Sequence, residues 1–150
     1  MQSSARFMGS EPMDPKMSLA EVQAFLSAEF PQVAEDYTVE ALGPMTTRLR
    51  LDTTDRHLRP GGTISGPSMF SLADCAVYLC LIAMVGPEAL AVTTNASIDF
   101  MRKPEAGKAL LAEVKLLKLG RALVVGDVLM RSMGNDKIVA RATLTYSRPR

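Results

Sequence analysis

From Met69 to Val85 the chain runs 17 residues with a single formal charge, the carboxylate of Asp74, and no other feature narrows the possible folds as much. A helix apolar on nearly all sides has to be enclosed, by other elements or by lipid. Seventeen residues is the short limit for crossing a bilayer, and Ser68, Ser71 and Asp74 border or interrupt the run, so a helix buried inside a soluble domain is expected. Burying an ionised carboxylate without a partner costs several kcal/mol or drives it to its neutral form. Asp74 is therefore either satisfied by a neighbour or used.

The flanking sequence can supply the enclosure. "SLAEVQAFLSAEF" opens on Ser18 and carries Glu21 three residues later, a capping-box pattern, with Leu19, Val22, Phe25 and Leu26 at helical spacing. It predicts a short amphipathic helix. "YTVEAL" and "MTTRLRLDT", on either side of Gly43 and Pro44, predict a hairpin. Four strand-like segments follow the apolar helix, "LAVTTNASIDFM", "KALLAEVKLLKL", "RALVVGDVLMRS" and "KIVARATLTYS". In the last, Ile138, Ala140, Ala142, Leu144 and Tyr146 alternate with Val139, Arg141, Thr143 and Thr145, the pattern of a strand with one buried face. No repeat, linker or low-complexity segment divides the chain, so residues 18–150 read as one domain. Residues 1–17 read as a polar, mobile extension that lacks the apolar core of a secretion signal. The order of helix, two strands, long helix and four strands predicts an α+β domain, an antiparallel sheet of five to six strands curled around the long helix.

Charge excludes one class of partner. Seventeen Lys and Arg against 16 Asp and Glu give a net charge of +1, scattered rather than blocked, which is no footprint for nucleic acid or an anionic membrane. Cys75 and Cys80 are the only cysteines, and their five-residue offset on a helix puts them on different faces. Reduced thiols and a cytoplasmic location are expected, with no disulfide and no zinc site.

The architecture just described is that of a hot-dog fold. "HLRPGGTISGPSMFSLAD", then "AVTTNASIDFMRKP", "KLGRALVVGDVLM" and "KIVARATLTYS", taken in order over residues 37–147, resemble the phenylacetate-degradation branch of hot-dog acyl-CoA thioesterases. That family has a loop of the form Asn-Pro-x-Gly-x-x-His-Gly-Gly leading into the helix, then Leu-x-Asp, then a Val-Thr strand ending in a basic residue and proline. The family's carboxylate falls on Asp74, and the resemblance implies a nucleophile or general base for thioester hydrolysis. The first Gly after the family's His falls on Gly66, whose N–H at the helix N-terminus would polarise the thioester carbonyl. Two positions depart from the pattern that orients the thioester or water: Ser65 stands in place of the His and Arg59 in place of the loop Asn. Pro67 replaces the second Gly. Ser65 also suits a helix cap, and Pro67 suits a first turn.

Thr93 falls where the family often has a Ser or Thr near the reacting centre. With Thr94, Ser65 and Arg59 it is expected to line the substrate, while Arg102, Lys103 and Arg121 could meet the phosphates of coenzyme A. Coenzyme A enters as part of the substrate, with no metal or redox cofactor. The ten methionines would suit a pliable acyl pocket.

Gly66 and Asp74 are eight residues apart, about 12 Å along one helix, so one thioester carbon cannot touch both within a chain. A homodimer with antiparallel helices, alone or paired into a tetramer, would join Gly66 of one chain to Asp74 of the other. Loss of the His and Asn leaves a non-catalytic acyl- or CoA-binding hot-dog module as the chief alternative. A third reading is an enoyl-CoA hydratase, since Asp52 precedes His57 by five residues as in an Asp-x4-His pair. The plainer reading of His57 is an exposed loop residue.

Overall fold

The computed structural model describes residues 14–88 and 90–149. Of the extension expected over residues 1–17, residues 1–13 lie outside the described residues, whereas Lys16 and Met17 both donate backbone N–H groups to the Ala83 carbonyl, at 2.7 and 3.2 Å. Helix α1, Leu19–Glu29, starts where the capping box predicts. Ser18 Oγ accepts from the Glu21 N–H at 3.1 Å and the Glu21 carboxylate accepts from the Ser18 N–H at 2.8 Å, so two donors at the helix start are satisfied. Val22 and Leu26 carry the buried face.

The strands are β1, Tyr37–Gly43; β2, Thr46–Leu51; β3, Val92–Phe100; β4, Leu110–Leu119; β5, Leu123–Ser132; and β6, Ile138–Ser147. They form one antiparallel sheet in the order β1-β2-β4-β5-β6-β3. The hairpin, the four later strands and the curled sheet are as the sequence predicts. Helix α2, Gly66–Val85, lies in the curl against β2, β4 and β5. Leu72, Leu79, Leu81 and Ile82 are wholly buried, each contributing about 1.5–3 kcal/mol by leaving water. β5 comes closest at Gly126, where an added Cβ would meet Val77 Cγ1 at 3.1 Å. This helix is long and apolar enough to cross a membrane by length and composition alone, but here it is the core.

Enclosure is incomplete on one side. Pro67, Phe70 and Ser71 are exposed, and Asp74 and Cys75 are half-buried, a stripe at i, i+3, i+4 and i+7 spacing along the first half of α2. On the same open flank, β3 is the edge strand beside β6 and is exposed along most of its length. Val92 and Phe100 on it are both more than half exposed.

The start of α2 is anchored twice. Ser65 is the N-cap, its Oγ accepting from the Ser68 N–H at 3.2 Å, and its own N–H donates to the His57 carbonyl at 2.7 Å. His57 is not the exposed residue its loop setting suggests: it is 9% exposed, in a 3-10 turn, Asp55–His57. Its Nδ1 accepts from the Thr54 N–H at 2.9 Å, which leaves the proton on Nε2, 3.3 Å from Asp36 Oδ2. Asp36 Oδ1 also accepts from Arg56 at 2.6 Å. No Asp52–His57 pair forms, because Asp52 is taken by Arg50 and Thr38. Removing the cap with Ser65→Ala should lower stability by about 1 kcal/mol. Urea denaturation should show a lower midpoint at unchanged slope, and an unmoved midpoint would mean the cap is idle.

Candidate active site

Asp74 sits at the middle of α2 and, among the described residues, pairs with no cation. Its Oδ1 accepts from Thr93 Oγ1 at 2.6 Å and from Tyr146 Oη at 2.8 Å, and Tyr146 Oη also lies 3.1 Å from the Asp74 carbonyl. Among the described residues Oδ2 takes no hydrogen bond. Thr93 and Tyr146 are directly paired across β3 and β6, and the register slips immediately afterwards, so that Asn95 pairs with Thr145 and Thr94 is the extra residue of a bulge. Such a bulge re-aims neighbouring side chains: Thr93 reaches the carboxylate, whereas the Thr94 hydroxyl donates to the Thr145 carbonyl at 3.4 Å.

A cavity of about 390 Å³ opens over Asp74. Its polar wall is Tyr37, Ser71, Asp74, Thr93 and Tyr146; Phe30 and Tyr78 form an aromatic wall. The Tyr37 and Ser71 hydroxyls bond at 2.9 Å. Tyr78 stacks edge-on with Phe30 at 5.5 Å and tilted with Tyr146 at 5.8 Å. Burial raises the Tyr37 phenol to about 12, against the hydrogen bond from Ser71. Burial raises Tyr146 still further, and the charge of Asp74 adds to it, so that phenol remains a protonated donor. Cys75 lines the same cavity, but burial and then the Asp74 charge push its thiol to about 12. Burial and a neighbouring carboxylate both disfavour the thiolate, which makes Cys75 a weaker nucleophile than an ordinary exposed cysteine.

A second cavity, about 430 Å³, lies at the start of α2 and contains Gly66, Arg59, Phe100, Met101, Arg102 and Lys103. The helix start offers one free donor. Pro67 has no N–H, Ser68 is capped by Ser65, and Met69 donates to the Ser65 carbonyl at 3.1 Å. The Gly66 N–H makes no hydrogen bond among the described residues, it stands at the positive end of the helix dipole, and Gly66 lines a cavity that also holds Arg59, Arg102 and Lys103.

The structure thus divides the predicted residues into two groups. Gly66, Arg59, Arg102 and Lys103 share one cavity; Asp74 and Thr93 share the other. Ser65 stands beside the first as its helix cap. Arg121 is exposed in the β4–β5 turn, outside both, as is Thr94. The sequence alone does not single out Tyr146, Tyr37 or Ser71 as site residues. The alternation in β6 marks Tyr146 as inward-facing, but its cross-strand partner depends on the β3–β6 register, which no local pattern carries.

The family model for the thioesterase superfamily matches residues 61–146, a span that includes Gly66, Asp74, Thr93, Arg102, Lys103 and Tyr146 but not Arg59 or Tyr37. Among solved structures, a candidate thioesterase from Silicibacter sp. TM1040 is 51% identical, with a TM-score of 0.87, over 93% of this chain and 97% of that one. A variant of the phenylacetic acid degradation protein from Thermus thermophilus is 28% identical, with a TM-score of 0.68, over 79% of this chain and 99% of that one. A hypothetical thioesterase from Streptococcus pneumoniae, solved with coenzyme A, shares the fold at 20% identity and a TM-score of 0.70, over 88% of this chain and 97% of that one. No curated protein matches the chain significantly.

Proposed function

Since the chain belongs to the thioesterase superfamily and is a thioester hydrolase with the hot-dog fold, we propose that it hydrolyses acyl-CoA thioesters at a site shared between two subunits. The observation that carries this reading is the separation of two incomplete half-sites. One cavity has a carboxylate with a free oxygen but no backbone N–H at a helix start; the other has such an N–H and three cations but no carboxylate among its lining residues. Eight residues of helix keep them about 12 Å apart.

Docking a second copy along the open flank would bring them together. The exposed stripe of α2 and the unpaired edge of β3 are contiguous with both cavities, and an unpaired strand edge is a template for another strand. In the assembled site, Asp74 acts as base on a water or as nucleophile at the thioester carbon. The Gly66 N–H of the other copy takes the charge that develops on the carbonyl oxygen. The C–S bond then breaks and coenzyme A leaves as the thiol, taking the proton that Asp74 removed from water; where Asp74 itself attacks, the thiolate takes a proton from solvent and water then hydrolyses the acyl–Asp74 anhydride to release the acid and regenerate the carboxylate. Arg59, Arg102 and Lys103 suit the phosphates of coenzyme A by charge and position. The coenzyme A bound to the Streptococcus pneumoniae fold relative and the degradation protein from Thermus thermophilus support an acyl- or aryl-CoA substrate of small or medium size. The cavity over Asp74, with its aromatic wall, suits such an acyl group.

The test is thiol release from a panel of acyl- and aryl-CoA thioesters, with sedimentation to give the oligomeric state. Release from at least one member by a dimer or tetramer is expected. A folded protein that releases thiol from none would overturn the substrate class, and an active monomer would overturn the shared site.

A further inference from the structure

We propose that Tyr146 is a positioning residue for this hydrolysis: with Thr93 it holds Oδ1 of Asp74, leaving Oδ2 as the one carboxylate oxygen free to meet water or the thioester. The proposal rests on the reading of Asp74 as the reacting carboxylate. The terminal torsion of an aspartate is broad and nearly two-fold, so an unrestrained carboxylate presents either oxygen over a wide range of angles. Here two hydroxyls from neighbouring strands converge on one oxygen, at 2.6 and 2.8 Å. Tyr146 also reaches the backbone carbonyl of the same residue at 3.1 Å, tying the helix as well as the side chain to β6.

Tyr146 is itself well fixed. It is 4% exposed, its ring lies against Tyr78 at 5.8 Å, and it stands directly opposite Thr93 at the last pair before the bulge. The groups that face Asp74 are Thr93 from β3, Tyr146 from β6, Tyr37 from β1, and Ser71, Cys75 and Tyr78 from its own helix. None is cationic. No lysine, arginine or histidine among the described residues pairs with Asp74, so the ionised form is supported by hydroxyl donors alone. Tyr146 can keep that donor role because burial, reinforced by the Asp74 charge, prevents the phenol from ionising.

Removing the hydroxyl while keeping the ring separates positioning from packing. For Tyr146→Phe, kcat/KM on the best acyl-CoA substrate should fall about tenfold, with most of the loss in kcat. Thr93→Val should lower kcat in the same way, and Thr93→Ser should retain it, which keeps the proposal testable if Tyr146→Phe does not fold. A folded Tyr146→Phe with wild-type kcat, or one whose whole loss lies in KM, would overturn the positioning role. A wild-type protein that hydrolyses no acyl-CoA would instead overturn the reading beneath it.

Discussion

Asp74→Asn should lower turnover of acyl-CoA by about a hundredfold or more while the protein remains folded, the usual scale for losing a general base or nucleophile. The geometry makes this a clean substitution. An amide oxygen in place of Oδ1 can still accept from Thr93 and Tyr146, now at 2.6 and 2.8 Å from the carboxylate. The amide nitrogen then occupies the place of Oδ2, where it can neither take a proton from water nor attack a carbonyl. No ion pair among the described residues is lost, because Asp74 has none there. Thiol release measured alongside circular dichroism and sedimentation decides the matter. Unchanged turnover in a folded variant would make Asp74 a satisfied helix carboxylate and nothing more.

Much of the fold was legible because its signals are local. The capping box at Ser18 and Glu21, the Gly43–Pro44 break and the alternation in β6 each sit within a few residues of the element they specify. Asp74 stood out because one charge in a long apolar run has few explanations. Of the residues that complete its surroundings, Thr93 was marked by the family pattern alone and Tyr146 by nothing, for a common reason. Tyr146 meets Asp74 across 72 residues and Thr93 across 19, and their meeting depends on the β3–β6 register and on the bulge that makes Thr94 the extra residue. Thr93 and Thr94 look equivalent in sequence, yet one reaches the carboxylate and the other a neighbouring strand's carbonyl. His57 gave the opposite error. A loop position suggested exposure, but Asp36, 21 residues earlier, draws it inward. The open stripe on α2 was hidden as well, since Pro67 and Phe70 are apolar and the interruptions at Ser71 and Asp74 are too few to mark an exposed face in a run that implied full enclosure.

Mixing two inactive variants should restore about a quarter of the wild-type rate. Gly66→Val is the first partner: a Cβ at Gly66 would already lie 3.4 Å from Phe100 Cζ, so the branched side chain intrudes on the cavity that Gly66 and Phe100 line. Gly66 is not among the positive-φ residues, so its backbone accommodates valine without strain. Asp74→Asn is the second partner. Each homodimer lacks one half of every site. Unfolding the two together in equal amounts and refolding them gives random pairing, in which half the dimers are mixed. In a mixed dimer one site has both defects. The other joins the intact Asp74 of the Gly66→Val chain to the intact Gly66 of the Asp74→Asn chain, and this site should turn over normally. Half of the dimers with one working site of two gives the expected quarter. If both groups acted within a single chain, no pairing could restore a complete site, because each chain carries one defect. Recovery near zero, with folded mixed dimers present by mass, would therefore reject the shared site. The Gly66 N–H, eight residues of helix away from Asp74 in its own chain, would then have no route to the carbonyl that Asp74 acts on.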